Sequence, residues 1–323
     1  MKIFVTGGNG FIGSAVVRRL VGEGHTVRCL LRSTSKTGRL EGVAYERVEG
    51  DVRDAAAVQR GLAGCEGAIH LASLSAWDQI DSPLMDEVVE GGTRNLLAAA
   101  AAEGQVKVVF VSSILAINGS QEPKLFDERS EWTLPDGKLK YSRSKKAAEA
   151  MCRQAAAGGQ HVVIVNPGEV YGPGDTELIT AGNLIDFVKS SPVLVCSGGT
   201  LIAHVDDVAL GIVRALERGK SGDRYILGGE NLTVRQLAEL TLELVGKRAS
   251  VFTFPTLPLQ LIASVAMKLH LPLPFNPHVV PYATKYWFMD SRKAREELGV
   301  TFRSARESLA PTLQWLRESG RIP

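Results

Sequence analysis

The chain has 323 residues, with 37 lysines and arginines against 35 aspartates and glutamates, a net charge of +2. So even a balance excludes a nucleic-acid or membrane-surface binder held by bulk charge. Hydrophobic residues make up 45% and charged residues 22%, which excludes a disordered chain. A length prior of ~150 residues per domain allows one large domain or two.

In chain order, Lys2–Thr6 is expected as a strand, and Ile12, Ala15, Val16 and Leu20 give helical spacing over Phe11–Val21. Strands follow at Thr26–Leu31 and Ala44–Glu49. Asp54–Leu62 reads as a short helix with Asp54 as N-cap, and Gly67–Ala72 as a fourth strand. The alanine-rich Leu84–Ala102 predicts a long helix, Val106–Ser112 a fifth strand, Tyr141–Ala157 a helix and His161–Asn166 a sixth strand. A β-α-β-α order with apolar strands predicts a parallel sheet covered by helices on both faces. After Asn166 the rhythm loosens. Loops such as PGEVYGPGD and LPLPFNPHVVP alternate with expected helices at Leu178–Ser190, Val205–Arg218, Val234–Val245 and Ala305–Arg317.

The expected fold class is α/β: a Rossmann-type doubly wound parallel sheet with a smaller, partly interleaved C-terminal α/β substrate domain. The sheet domain is assigned to residues 1–165, with 198–228 returning to it. Residues 166–197 and 229–323 are assigned to substrate binding. Cys29, Cys65, Cys152 and Cys196 form no C-x-x-C pair, so neither a disulfide framework nor a zinc knuckle is indicated, and a reducing cytoplasm is the expected location. No signal-peptide pattern opens the chain. The apolar run Phe254–Phe275 is broken by Pro255, Pro258, Pro272, Pro274 and Lys268, so no transmembrane segment is expected. His25, His161 and His204 have no metal-ligand spacing and are read as structural, and no metal is assigned.

Residues 7–13 read GGNGFIG, placing Gly7, Gly10 and Gly13 directly after a strand and at the opening of a helix. The turn needs residues without Cβ so that backbone can approach a pyrophosphate, and the helix N-terminus offers unpaired N–H groups to it. At the end of the second strand, where NAD-preferring folds place an acid, stands Arg32. From Gly24 to Leu40 there is no acid, while Arg28, Arg32, Lys36 and Arg39 are basic. A guanidinium fork suits a 2′-phosphate, so NADP(H) is favoured over NAD(H), with Arg32 and Arg39 as its contacts. Tyr141 and Lys145 are four apart on one helix face. An ammonium lowers a phenol's pKa from ~10 and makes Tyr141 a candidate acid/base. Ser112 and Ser113, at the end of the fifth strand, both offer the hydroxyl such a pair needs.

These features, taken together, resemble the extended branch of the short-chain dehydrogenase/reductases, the epimerase/dehydratase family. The resemblance rests on TGGNGFIG, Asp51-Val52 after the third strand, HLAS at 70–73, Tyr141-x-x-x-Lys145, HVDDVA at 204–209 and DSRKAREELG at 290–299, and it covers nearly the whole chain. It implies hydride transfer. Phe11 and Ile12 join the glycine loop, Asp51 and Val52 lie at the adenine, and Leu71, Ala72 and Ser73 lie beneath the cofactor. Tyr141 is the acid/base, Lys145 also holds the nicotinamide ribose, and Asn166 and Pro167 complete the cofactor set. In relatives with an S-S-I stretch the second serine is catalytic, which selects Ser113. Two positions depart from the pattern. Ile114 stands where many sugar-nucleotide epimerases have a third serine, and Val89 replaces an asparagine that could reach the cofactor.

The branch contains nucleotide-sugar epimerases and dehydratases, hopanoid-associated sugar epimerases, and carbonyl reductases resembling dihydroflavonol reductases and 3β-hydroxysteroid dehydrogenases. Nucleotide-sugar members often carry R-x-x-N-V-Y-G-P. Here Asn166 replaces the arginine, Glu169 replaces the substrate-facing asparagine, and Ala203 lies where an arginine often precedes V-D-D. A carboxylate disfavours a diphosphate. The apolar Leu257, Leu259, Leu261, Ile262, Val265, Met267, Leu269 and Leu271 suit core packing or an apolar pocket. The expected function is NADP(H)-dependent reduction of an apolar or aromatic ketone or aldehyde. The alternatives are a nucleotide-sugar epimerase/dehydratase with tightly bound NAD(P), and a non-catalytic NADP(H) sensor, against which retention of Ser113, Tyr141 and Lys145 argues. The expected partner is a small molecule and no nucleic acid; a homodimer is left open.

Overall fold

A computed structural model describes residues 1–323 except 75, 76, 78, 105, 136–138, 270, 272, 274 and 275. The first half runs β1 (Lys2–Thr6), α1 (Phe11–Gly22), β2 (Thr26–Leu31), β3 (Glu46–Glu49), α2 (Ala55–Leu62), β4 (Gly67–His70), α3 (Leu84–Asp86), a π-wound turn (Glu87–Gly91), α4 (Gly92–Glu103), β5 (Lys107–Val111), β6 (Leu125–Phe126), α5 (Lys140–Ala157) and β7 (Val162–Pro167). The second half runs β8 (Glu169–Tyr171), α6 (Ala181–Lys189), β9 (Val193–Cys196), β10 (Gly199–His204), α7 (Val205–Arg218), β11 (Arg224–Leu227), β12 (Glu230–Thr233), α8 (Val234–Val245), β13 (Val251–Phe254), α9 (Thr256–Leu269), α10 (Val280–Ala283), β14 (Tyr286–Met289), a second π-wound turn (Ala294–Leu298) and α11 (Ala305–Glu318).

Seven strands form one parallel sheet in the order β11-β7-β5-β4-β1-β2-β3. Alternation along β1 shows why it lies inside: Phe4 packs into one apolar layer, Ile3 and Val5 into the other. The Phe4 layer takes in α2, α4 and α5; the Ile3 layer takes in α1 and α7. This is the expected α/β Rossmann-type sheet.

A second sheet, β12-β10-β14-β6 with β8 also on β10, is mixed, since β12 pairs antiparallel and the others parallel. β9 and β13 form a separate parallel pair. β10 therefore belongs to the second sheet, while α7 and β11 pack with the first.

Local boundaries shift for identifiable reasons. Asp54 caps α2 as expected, its carboxylate accepting from the N–H groups of Ala56 and Ala57. The expected Leu84–Ala102 helix is interrupted by the π-wound turn that ends at Gly91, next to Gly92, where a side chain would press on Val52. The expected Leu178–Ser190 helix begins only at Ala181. The buried carboxylate of Asp175 takes the N–H groups of Ile179 and Thr180, holding them outside the helix, and that of Ala181, which opens it. The run Phe254–Phe275 contains α9, with Pro258 tolerated in its first turn. Pro272, Pro274 and Phe275 fall outside the described residues. Among the described residues no helix is long and apolar enough to cross a membrane.

Gly61 on α2 marks where helix meets sheet, since a Cβ there would sit 2.4 Å from the Phe4 ring. Alanine would raise helix propensity by about 1 kcal/mol, but forcing a methyl into that contact costs about 1–3 kcal/mol. Gly61→Ala is therefore expected to lower stability by about 1 kcal/mol, read as a lower denaturation midpoint with an unchanged slope.

Candidate active site

The order of the main sheet reverses at β1, which has β2 on one side and β4 on the other. Ligands of such sheets bind in the crevice at the strands' carboxyl ends there. At that point Gly7 adopts φ +70°, and a Cβ on it would lie 2.7 Å from the amide nitrogen of Ala72 and 2.8 Å from the carbonyl carbon of Leu71. A Cβ on Gly13 would lie 2.1 Å from the Gly7 carbonyl oxygen, so α1 sits directly on the loop. Gly10 N–H closes the turn onto that same oxygen at 3.1 Å. α1 has neither a side-chain cap nor an acid in its first turn, so its positive end and leading N–H groups remain open to an anion. Phe11 and Ile12 form that first turn.

The loop after β4 is tied to β1. Ala72 N–H donates to Thr6 Oγ1 at 3.3 Å, and Thr6 Oγ1 lies 2.6 Å from His70 Nδ1. Burial drives His70 down to about 3, so it stays neutral. Leu71, Ala72 and Ser73 thus follow β4 beside the glycines, with the buried Ser73 hydroxyl on the Tyr141 side. A loop that no Cβ can enter and a bare helix N-terminus fit a dinucleotide.

At the far end of the crevice Arg32 follows β2 and is exposed. Its guanidinium helps hold Asp51 below the usual carboxylate range, after the hydrogen bonds from Arg53, whose N–H and Nε donate to Asp51 Oδ1 at 2.9 Å. Val52 is buried under Gly92. Arg39 is placed differently from the phosphate contact read in the sequence. Its Nε donates to the Gly174 carbonyl at 2.8 Å, its Nη1 to the Asn9 carbonyl at 3.4 Å, and its Nη2 to Thr176 Oγ1 at 2.5 Å and to Glu177. The guanidinium is engaged in clamping the glycine loop to the loop before α6. No local signal could reveal this, because its partners before α6 lie 135 to 138 residues away.

Tyr141 and Lys145 start α5, and Ser112 and Ser113 follow β5. Lys145 is 2% exposed; its Nζ donates to the Val111 carbonyl at 2.9 Å and lies 5.9 Å from the Tyr141 ring centre. Burial pulls Lys145 down to about 8, opposed by the Glu149 carboxylate. Burial pushes the Tyr141 phenol up to about 12, opposed by the hydroxyls of Ser113 and Ser73. Ser113 is the serine on the Tyr141 side; its Oγ also accepts from Leu115 N–H at 3.2 Å. Ser112 is 5% exposed, with no partner for its hydroxyl.

A residue missed in the sequence lies behind this group. Glu149, one turn after Lys145, accepts from Asn166 Nδ2 at 2.6 Å and pairs with Arg224 at 3.4 Å and Arg153 at 3.2 Å. Asn166 Nδ2 also donates to the Ser113 carbonyl at 2.8 Å. Asn166 and the neighbouring Pro167 are thus buried in β7 behind the serine, bracing it. The spacing of Lys145 and Glu149 is one helical turn and was available to find it.

On the open side, the Trp77 and Tyr282 rings meet edge-on at 5.7 Å in the same apolar cluster as Tyr141. The buried Tyr282 hydroxyl has no protein partner. Glu169 accepts from the Tyr171 hydroxyl at 2.7 Å and Asn183 Nδ2 at 3.0 Å, and burial raises its carboxyl. Ala203 is buried in β10 and Val89 within the π-wound turn. Of the apolar run, Leu257, Leu261, Ile262, Val265, Leu269 and Leu271 are exposed, so they are not part of the core. His204 caps α7, accepting from Asp206 N–H. His25 meets Glu23 and Glu217 at the surface, but Arg214 pairs with both carboxylates.

Residues 3–228 match the model of the NAD dependent epimerase/dehydratase family. The chain belongs to this family of nicotinamide-dinucleotide-binding enzymes. A Synechocystis sp. protein named "Putative dihydroflavonol 4-reductase" is 35% identical over 332 residues, covering 99% of this chain and 95% of that one. Among solved structures, gox2253 superposes with a TM-score of 0.86 at 30% identity over 99% of each chain. The dTDP-glucose 4,6-dehydratase DesIV of Streptomyces venezuelae, with NAD and TYD bound, gives a TM-score of 0.80 at 26% identity, over 98% of this chain and 97% of that one.

Breaking a buried ion pair from one side costs about 3–5 kcal/mol, because the remaining charge is stranded. Glu149→Gln keeps an acceptor for Asn166 but strands Arg224. It is expected to lower unfolding stability by about 3 kcal/mol, measured by urea titration.

Proposed function

We propose that this protein reduces the carbonyl of an apolar or aromatic small molecule with NADPH. The carrying observation is that Tyr141, Lys145 and Ser113 converge at the end of β5, in one crevice with the glycine loop and beside the Trp77–Tyr282 aromatic pair. Bound NADPH supplies the hydride. Ser113 and Tyr141 orient the carbonyl oxygen by hydrogen bonds. Tyr141 gives its phenolic proton to that oxygen as the alcohol forms, and the Lys145 ammonium stabilises the phenolate left behind. Glu149 keeps an opposite charge behind Lys145, and the hydrogen bond of Asn166 holds Ser113 in place. The similarity to a protein named for dihydroflavonol reduction supports this substrate class.

Arg32 is the proposed contact for the 2′-phosphate, being exposed at the end of β2, whereas Arg39 is engaged elsewhere. NADPH is expected to bind more tightly than NADH. Arg32→Ala should weaken NADPH at least about tenfold, the scale of one charged hydrogen bond, with NADH little changed, as read by nucleotide fluorescence titration. Equal wild-type affinities would refute the preference.

The nucleotide-sugar reading has the fold-level support of DesIV. Against it stand a carboxylate at Glu169, bound to Tyr171 and Asn183, and the absence of a cation at Ala203. A panel of aromatic ketones and UDP- or dTDP-sugars followed at the NADPH absorbance separates the two. One NADPH consumed per ketone reduced is expected; tight nucleotide-sugar binding without net NADPH loss would favour the epimerase.

Tyr141→Phe removes the proton but keeps the ring, so turnover should fall by at least about 100-fold while NADPH affinity is retained. The pH profile follows from Lys145. Its ammonium is present below about 8 and lost above it. Reductive turnover should therefore decline as pH rises through 8, by up to about tenfold per unit. A rate flat to pH 10 would remove Lys145 from this role.

A further inference from the structure

The overall charge is even, but its distribution is not. Between Glu243 and Asp290 there is no carboxylate, and the lysines and arginines there are Lys247, Arg248, Lys268 and Lys285. Among the described residues the same segment carries most of the exposed large apolar side chains.

α9 is built inside out. Its small residues Ala263 and Ala266 face the protein, while Leu257, Leu261, Val265 and Leu269, one per turn, form an exposed stripe joined by Ile262. Leu257 is 79% and Leu261 66% exposed, far beyond what scattered surface leucines require. Two residues before α9 begins, β13 ends at Phe254. On it Phe252 is exposed and pairs in register with exposed Leu194 of β9. Only Pro255 separates the strand pair's β13 from the helix that carries the stripe, and exposed Arg248 and Lys268 flank this run in the chain. The acids on neighbouring α8 are neutralised: Glu239 pairs with Arg235 at 3.4 Å and Glu243 with Arg306 at 2.6 Å. Among the described residues Arg248 and Lys268 have no carboxylate partner.

We propose that this face docks on an anionic lipid bilayer, with α9 lying in the plane of the interface. A 14-residue helix is too short to span a bilayer but suits an interfacial position, its large apolar side chains entering the acyl boundary and its cations meeting lipid phosphates. A second copy fits less well. A two-fold contact sets the same patch against itself, so the cations of one copy face the cations of the other with no acid in the segment to pair them. α9 is joined to the substrate side of the crevice. Gln260 donates to Thr284 at 2.9 Å, just beyond α10, which carries Tyr282. The inference stands on this surface alone and is independent of the reductase reading.

The test is co-sedimentation of the full chain with vesicles of phosphatidylcholine alone and with 30 mol% phosphatidylglycerol added, alongside light scattering across a concentration series. Wild type is expected to partition at least about tenfold more onto the anionic vesicles at low salt, with loss of that gain as salt rises. The Leu257→Gln/Leu261→Gln/Val265→Gln variant should remain in the supernatant. Arg248→Glu/Lys268→Glu should lose the preference for anionic lipid. All three proteins should keep the wild-type melting temperature and NADPH affinity, because the altered side chains are exposed. Failure of wild type to sediment with anionic vesicles at low salt would overturn the proposal, as would equal binding by the triple variant. So would a concentration-dependent dimer that the triple variant abolishes while vesicles leave wild type in solution, since the face would then belong to a second copy.

Discussion

The structure turns on one close approach, the contact between the loop leaving β1 and the loop leaving β4. Gly7 lies so near the backbone of Leu71 and Ala72, and Gly13 so near Gly7, that no side-chain carbon fits at either position. Without that contact α1 could not point its N-terminus into the crevice where the sheet order reverses. Thr6 reinforces the contact by serving both His70 and Ala72. The rest of the crevice is arranged around this point, with Arg32 and Asp51 towards β2 and β3, and Ser113, Tyr141 and Lys145 towards β5.

A second constraint works at the other end of the crevice. Lys145 is almost fully buried, which costs a charged group its hydration. A carboxylate one turn along the same helix offsets part of that cost, and the carboxylate is in turn held by Arg224 on the edge strand β11. Asn166 joins the network to the Ser113 carbonyl. Lys145 and Ser113 therefore depend on β7 and β11, which are contributed after the glycine loop and the Tyr-x-x-x-Lys pair have already passed in the sequence.

Among the described long helices α9 is the least buried, with only Ala263 and Ala266 covered. Where the main sheet hides long apolar runs between two helical layers, α9 buries only small residues and turns its leucines outward. The contrast is physical. A helix facing a close-packed neighbour needs small side chains at the contact, whereas leucine exposed to water gains nothing unless something apolar covers it.

Periodicity and short-range chemistry were enough to read much of this protein. The β-branched runs specify buried parallel strands, the glycine spacing specifies a tight strand-to-helix turn, Asp54 specifies the start of α2, and the four-residue step from Tyr141 to Lys145 puts both on one face. All of these act between residues a few positions apart, so their geometry follows from local backbone alone. What depended on folding was partner choice over long separations. Arg39 looked like a phosphate ligand by composition but meets Gly174, Thr176 and Glu177 across more than a hundred residues. Asp175 delays α6, Glu149 finds Arg224 75 residues on, and the apolar run after Phe254 faces water. The sequence by itself determined the elements of the parallel sheet and the helices that cover it. The tertiary structure alone decided which charges pair and which apolar faces stay uncovered, because those outcomes depend on distances set only when the two sheets and their helices pack together.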